Sequence, residues 1–276
     1  MGELATEMNA SILVATYEHP DFLRRTLLGF SRQTVQNFEL IVCDDGSGPE
    51  IERVISGFLP RFSGRLTHCK HAKSGFRKCR ILNEGILKTR TDYLVFIDAD
   101  CIPHSRFMEE HLLCRASETY LVGRRVQLGE KLTAQLADDD VASGRLESVW
   151  WTLLPWLLRG QIRHMEAGIY LSSDSQTNGS PKAPPLKGCN FSCWKSDMTK
   201  INGFNEDFVA PGGGEDDDID RRLRLIGLRG KSVKNAAICY HQYHKLVPRG
   251  ATGGELCRLL AEQGIAICER GLRQHR

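Results

Sequence analysis

Two groups of carboxylates mark this chain: Asp98 and Asp100, one residue apart, and the run Glu215-Asp216-Asp217-Asp218 directly after Gly212-Gly213-Gly214. Like charges gathered in one place repel, so each group needs something that offsets its charge or uses it. Asp98 and Asp100 follow the apolar stretch Tyr93-Leu94-Val95-Phe96-Ile97 and precede Cys101-Ile102-Pro103. In extended geometry positions i and i+2 point to one side, so both carboxylates are expected to face one ligand. Oxygen donors at that spacing suit Mg²⁺ or Mn²⁺ bridging a diphosphate, whereas a bare Asp-x-Asp is also an ordinary strand-ending turn. The second group could serve proton abstraction, and a place in the first turn of a helix favours negative charge. Asp44-Asp45-Gly46-Ser47 reads two ways: as a turn closing a strand, or as a carboxylate accepting the imide hydrogen of a uracil ring. Thr16-Tyr17, at the end of an earlier apolar run, adds weight to the nucleotide pocket.

These residues need a scaffold, and the first half supplies one by alternating strand-like and helix-like segments. Ser11–Thr16, Phe38–Cys43, Arg65–Cys69 and Asp92–Ile97 read as strands. Between them Pro20–Gln33, Ile51–Leu59 and Phe76–Leu87 carry apolar residues at helical spacing. Such alternation predicts an α/β fold of βαβ units, with a mostly parallel, Rossmann-like sheet flanked by helices. Ligands bind such sheets beyond the carboxyl ends of the strands, so Thr16, Asp44, Asp45, Asp98 and Asp100 should converge on one crevice. Asp138-Asp139-Asp140 reads as a solvated loop or helix start, and the Ser-, Pro- and Gly-rich stretch from Asp174 to Pro185 as a mobile loop. A strand near Lys187–Trp194, a turn at Asn202-Gly203, a helix opened by the second carboxylate group and a strand Ala236–Tyr240 complete the order. One domain over residues 1–276 is expected, in two parts at about 10–115 and 116–276, the second ending in a C-terminal helix.

The 276 residues are 41% hydrophobic, enough for a sizeable core. With 37 basic and 34 acidic residues the net charge is +3, and no global field argues for nucleic acid. The ten cysteines show no disulfide framework or zinc-type spacing and suggest a reducing, cytoplasmic setting. Met1–Asn9 lacks the apolar segment of a secretory signal, and no apolar run approaches the roughly 20 residues of a spanning helix. Val149–Leu158 carries three of the four tryptophans. It is expected to be a packed helix, the alternative being contact with a membrane surface, such as the inner membrane, or with a lipid-linked acceptor.

Taken in order over about residues 10–115, Ile12–Tyr17, Phe38–Ser47, the Gly75–Gly85 stretch with Arg80 and Asn83, and Phe96–Asp100 resemble glycosyltransferase family 2, an inverting family with the GT-A fold. Gly203–Phe208 and the later Gly-Gly-Glu-Asp-Asp-Asp-Ile resemble the C-terminal part of β-1,4-galactosyltransferases and of bacterial chondroitin-polymerase-type transferases. The resemblance implies that Asp45 binds uracil, with Thr16, Tyr17 and Asp44 nearby, and that Arg80 lies in the donor pocket. It makes Asp98 a contact to ribose or metal, Asp100 a metal ligand, Glu215 the holder of an acceptor hydroxyl and Asp216 the catalytic base. A histidine near the carboxyl end commonly completes the metal site, which implies His241, with His244 as the second candidate. Gly188-Cys189-Asn190 falls where related enzymes line the sugar and acceptor region, and the resemblance makes residues 10–115 the nucleotide-sugar-binding half and 116–276 the acceptor-binding half. Those galactosyltransferases carry tryptophan before the glycines, where this chain has Val209-Ala210-Pro211, so galactose specificity is not implied.

The implied activity is metal-dependent transfer of a hexose or N-acetylhexosamine from a UDP-sugar, with Mn²⁺ or Mg²⁺, to a glycan or lipid-linked acceptor in bacterial surface polysaccharide synthesis. Gly212–Gly214 would flex over the donor. A sugar-phosphate nucleotidyltransferase is disfavoured, because Ala15–Pro20 is not the Gly-rich phosphate loop such an enzyme needs after its first strand. A glycan-binding module without turnover is disfavoured by the intact carboxylates and histidine.

Overall fold

The computed structural model describes residues 8–173, 183–211, 214–245 and 251–275. Its elements run β1 (Ala10–Thr16), α1 (Pro20–Ser31), β2 (Phe38–Asp44), α2 (Pro49–Phe58), β3 (Leu66–Lys70), α3 (Lys78–Lys88) and β4 (Tyr93–Asp98). Then come β5 (Cys101–Pro103), α4 (Phe107–Cys114), β6 (Thr119–Val122), β7 (Arg124–Leu128), α5 (Glu130–Gln135), α6 (Asp138–Ala142), α7 (Leu154–Leu158) and β8 (Ile162–Arg163). Last are β9 (Phe191–Trp194), α8 (Lys195–Lys200), α9 (Glu215–Leu225), β10 (Arg229–Ser232), β11 (Ile238–His241) and α10 (Ala251–Glu262).

A seven-stranded sheet has the order β10-β6-β9-β4-β1-β2-β3, and a four-stranded sheet has the order β5-β11-β7-β8. The first half forms the parallel βαβ core that its alternation predicts, with β1 between β2 and β4. Alternate residues of these strands serve two separate cores. Ile12, Val14, Leu40, Val42, Val95 and Ile97 pack with α1 and α2, while Leu13, Ile41, Leu94 and Phe96 pack with α3 and α9. Burial on both faces explains why these strands are apolar along most of their length. Register then fixes the site: Thr16 lies opposite Asp44, and Ala15 opposite Asp98, so the carboxyl ends of β1, β2 and β4 are level.

Several local expectations shift. The strand expected from Lys187 begins only at Phe191, because the Asn190 N–H donates to the Lys187 carbonyl and closes a turn there. It runs antiparallel to both β4 and β6, so strands from both halves of the sequence share the large sheet. Asp138–Asp140 form the first turn of α6, where Asp140 accepts from the Ala137 N–H and Asp138 pairs with Arg24. Val149–Leu158 is not a packed amphipathic helix. It is a π-type turn over Val149–Leu153 running into the one-turn α7, and Trp150 and Trp151 keep 73% and 87% of their surface exposed. None of the ten cysteines is in a disulfide, and all but Cys257 are buried. No helix among the described residues is long and apolar enough to cross a membrane. The expected loop over 174–182 and the expected hinge at Gly212 and Gly213 lie outside the described residues.

Candidate active site

The level carboxyl ends of β1, β2 and β4 open into a cavity of about 530 Å³, closed by β7 and β11 of the small sheet, the start of α9 and the 187–189 turn. Thr16, Tyr17, Asp45, Asp98, Asp100, Glu215, Asp216, His241 and His244 all line it.

At one end, Asp45 is held from two sides. Its Oδ1 lies 2.7 Å from His71 Nε2, and its Oδ2 accepts the Arg77 N–H at 2.8 Å. Each carboxylate oxygen retains a lone pair for another donor. The Thr16 hydroxyl beside it is buried and without a hydrogen-bond partner, which suits a site completed by a polar ligand. Tyr17 is 44% exposed at the mouth, with Lys73 Nζ 4.9 Å from its ring centroid.

Asp44 and Arg80 are not among the residues lining the cavity. Asp44 ends β2 with its side chain on the opposite side from Asp45, fully buried, accepting the Ser47 N–H at 2.8 Å and lying 3.0 Å from His68 Nε2. These bonds outweigh burial and hold its carboxyl below the usual value. Arg80 bonds Glu84 at 2.9 Å on the outer side of α3. The helix turns about 100° per residue, so Lys78 and Ile81 share the cavity face and Arg80 does not.

Asp98 and Asp100 diverge rather than facing one ligand. β4 ends at Asp98, and the Ala99 N–H donates to the Ala15 carbonyl at 2.8 Å, turning the chain before Asp100. Asp98 therefore meets Lys78, whose Nζ lies 2.9 Å from its Oδ1 and 3.9 Å from Glu215 Oε1. Burial opposes the charge on Lys78, but Asp98, Asp216 and Glu215 hold its ammonium well above the usual lysine value. Asp100 is placed with the histidines. The Gln242 N–H donates to the Asp100 carbonyl at 2.8 Å, and Asp100 Oδ2 lies 3.2 Å from His241 Nε2 and 3.1 Å from His244 Nε2. Burial would raise the Asp100 carboxyl, but hydrogen bonds from His241 and His244, with the charge of Arg125, drive it well below its usual range. Bonding to Asp100 in turn raises His244.

The ligand atoms of Asp100, His241 and His244 lie within 4.8 Å of one another. Neighbouring ligands of a divalent ion bound at about 2.1 Å stand about 3 Å apart, so this set fits such an ion. Asp98, expected as a further ligand, lies outside the cluster.

Gly214, with φ of 92°, turns the chain into α9 and brings Glu215 and Asp216 to the cavity. Asp216 is half-buried. Burial first, then Glu215 and Asp98, raise its carboxyl from the ordinary 3.8 to about 6, against the pull of Lys78 and the Gly188 N–H. Asp218 turns inward, 2.6 Å from Arg222 and 2.8 Å from Arg221, and Asp217 faces solvent. Lys78 and Arg125, which line the cavity, were not singled out from the sequence. Lys78 lies within the Gly75–Gly85 stretch, where helical spacing from Ile81 could have marked it; Arg125 carries no such signal.

The family profile described as glycosyl transferase family 2 matches residues 11–140, the span that builds β1 to β4 and the Asp98–Asp100 turn. Residues 11–140, just under half of the chain, therefore carry this family's domain. A second profile, described as the N-terminal domain of galactosyltransferase, matches residues 174–245, which includes Asp216 and His241. A chondroitin synthase of Escherichia coli is 24% identical over 253 residues, covering 84% of this chain and 34% of that protein. The chain thus spans about a third of that relative's length. Staphylococcus aureus TarS 1-349 in complex with UDP superposes with a TM-score of 0.61 at 11% identity, over 97% of this chain and 68% of that one. The mannosyltransferase PcManGT from Pyrobaculum calidifontis, in complex with GDP-Man and Mn²⁺, gives 0.54 at 14% identity, over 92% and 62%. Both likenesses show the GT-A type of fold.

Proposed function

We propose that this family 2 domain is an inverting, metal-dependent glycosyltransferase. It would move a hexose or N-acetylhexosamine from a UDP-sugar to a hydroxyl of a glycan or glycolipid, in the synthesis of a bacterial surface polysaccharide at the cytoplasmic face. One observation carries the reading: a single cavity holds a strand-end carboxylate suited to a base, a divalent-cation cluster, and a carboxylate poised to take a proton near neutral pH.

Asp45, oriented by His71 and Arg77, accepts the imide N–H of uracil, and the free Thr16 hydroxyl bonds the nucleotide beside it. Tyr17 covers the mouth. Asp100, His241 and His244 would hold the cation, and the two imidazoles favour Mn²⁺ over Mg²⁺. When bound, that ion offsets charge on the departing diphosphate. Lys78 adds a fixed positive charge in the same space while orienting Asp98. Glu215 holds the acceptor hydroxyl. Asp216 takes its proton as the acceptor oxygen bonds the anomeric carbon and the bond to the diphosphate breaks, in one displacement that inverts the anomer. The family 2 match over residues 11–140 favours sugar transfer over nucleotidyl transfer.

A donor screen tests the nucleotide assignment. Thermal shift and nucleotide release are measured with UDP-, GDP- and TDP-sugars in the presence of Mn²⁺. Stabilisation and turnover with UDP-sugars, weakened in Asp45→Asn, are expected; preference for a GDP-sugar overturns the role of Asp45.

A further inference from the structure

The Val149–Leu158 turn has no part in the cavity, yet it is firmly built. Leu153 is fully buried, and Val149, Trp156 and Leu157 pack against the same core. Ser148 accepts from the N–H groups of Thr152 and Leu153 at 3.0 and 3.3 Å, and Trp156 accepts from Gln161 at 2.9 Å. On this anchored base Trp150, Trp151 and Leu158 stand 73%, 87% and 80% exposed, with Pro155 exposed among them. Side chains that keep so much of their surface project outward; they do not line a groove. Large apolar groups held out in water mark a contact surface.

Charge selects the occupant. Residues 149–163 contain no acidic side chain, while Arg159 and Arg163 are both exposed. The Arg159 guanidinium lies 5.1 Å from the Trp156 ring centroid, which keeps a cation at the base of the patch. Beyond the segment, Glu166 is already engaged by His164 and Lys234, each at 3.7 Å. Projecting indoles flanked by arginines match the interface of a bilayer, where indole rings sit at headgroup depth and guanidinium groups meet anionic lipid. We propose that this turn docks the enzyme on an anionic lipid surface. The contact goes beyond the proposed transfer reaction and is separable from it. Leu153 packs near Val126 and Tyr240 around Gly168, whereas the neighbouring residues Arg125 and His241 face the cavity, so the small sheet stands between the two.

The test uses the full chain with phosphatidylcholine vesicles, with and without phosphatidylglycerol, followed by co-sedimentation and indole emission. Wild type should bind the anionic vesicles with a blue-shifted emission. Trp150→Ser with Trp151→Ser should lower partitioning about tenfold or more. Arg159→Gln and Arg163→Gln should each lower it on the order of fivefold, the effect fading with added salt. Melting temperature and donor hydrolysis should not change in these variants. Absence of binding by wild type, or equal binding by the tryptophan variant, overturns the proposal. So does a wild-type dimer in solution that the tryptophan variant converts to monomer, because the patch would then join two copies of the chain.

Discussion

Replacing Asp216 with asparagine should remove activity and stabilise the fold, and the two effects should have different pH dependences. The Asp216 carboxyl, raised to about 6, is mostly ionised above neutral pH and only about one-tenth ionised at pH 5. As a base it acts when deprotonated, so kcat/KM of the wild type should fall about tenfold per pH unit below 6. Asparagine keeps the shape but cannot take the proton, and turnover at pH 8 should fall about 10²–10⁴-fold. Stability runs the other way. A carboxyl whose native value exceeds its unfolded value binds protons more tightly when folded. Its contribution is complete below about pH 4 and lost as pH rises through 6. A rise of about two units corresponds to at most about 3 kcal/mol at pH 8. The side chain is half-buried and opens on the cavity, so screening leaves about 1 kcal/mol. Asparagine removes that penalty, and Tm should rise about 2 °C at pH 8, with the gain shrinking at pH 5. Thermal unfolding without added divalent cation and initial rates over pH 5–9 measure both. Undiminished turnover, or a lower Tm at pH 8, would refute the assignment of Asp216 as a half-buried base.

Two further outcomes follow from the geometry. Mn²⁺ at 100 times its dissociation constant should stabilise the wild type by about 2.7 kcal/mol, and Asp100→Asn or His241→Ala should abolish most of the melting shift; an undiminished shift in Asp100→Asn would place the ion elsewhere. A Cβ at Gly188 would lie 2.3 Å from Asp216 Oδ1, so Gly188→Ala should displace the base and lower kcat about tenfold or more, at a stability cost of about 1–3 kcal/mol read by denaturant unfolding; an unchanged kcat would show that Asp216 need not stand where it does.

The parallel core was legible because β1, β2 and β4 are buried on both faces and therefore read as largely apolar runs, β2 and β4 ending in carboxylates. The residues that converge on the cavity could be gathered from that pattern and from the family resemblance. What failed was the aim of individual side chains. The resemblance implied Arg80 in the donor pocket, whereas the cavity is lined by Lys78, two positions away and on the opposite face of α3, because resemblance to a stretch does not say which face of its helix meets the crevice. Asp98 and Asp100 were expected to converge because an extended chain was assumed through Ala99; the bond from its N–H to Ala15 breaks that assumption. Similarly, the apolar spacing of Val149–Leu158 could not reveal that only its Leu153 side would find a core.

The repulsion within each carboxylate group is resolved by dividing the charges among different partners. Lys78 stands between Asp98 and Glu215, the two histidines and Arg125 serve Asp100, and Asp218 is withdrawn altogether into a pair with Arg222. That last pair decides where the others point. Arg222 is 1% exposed and also donates to the carbonyls of Ile201 and Gly203 at 2.9 and 2.8 Å, fixing α9 about its own axis. With Asp218 and Arg222 one turn apart on the core side, Glu215 and Asp216 at the helix start are left facing the cavity, where the helix terminus favours their charge. Removing one partner of such a buried pair costs about 3–5 kcal/mol, more than the ionisation of Asp216 costs in place. The acidic run therefore joins, within a single helical turn, one structural anchor to the two residues that line the cavity.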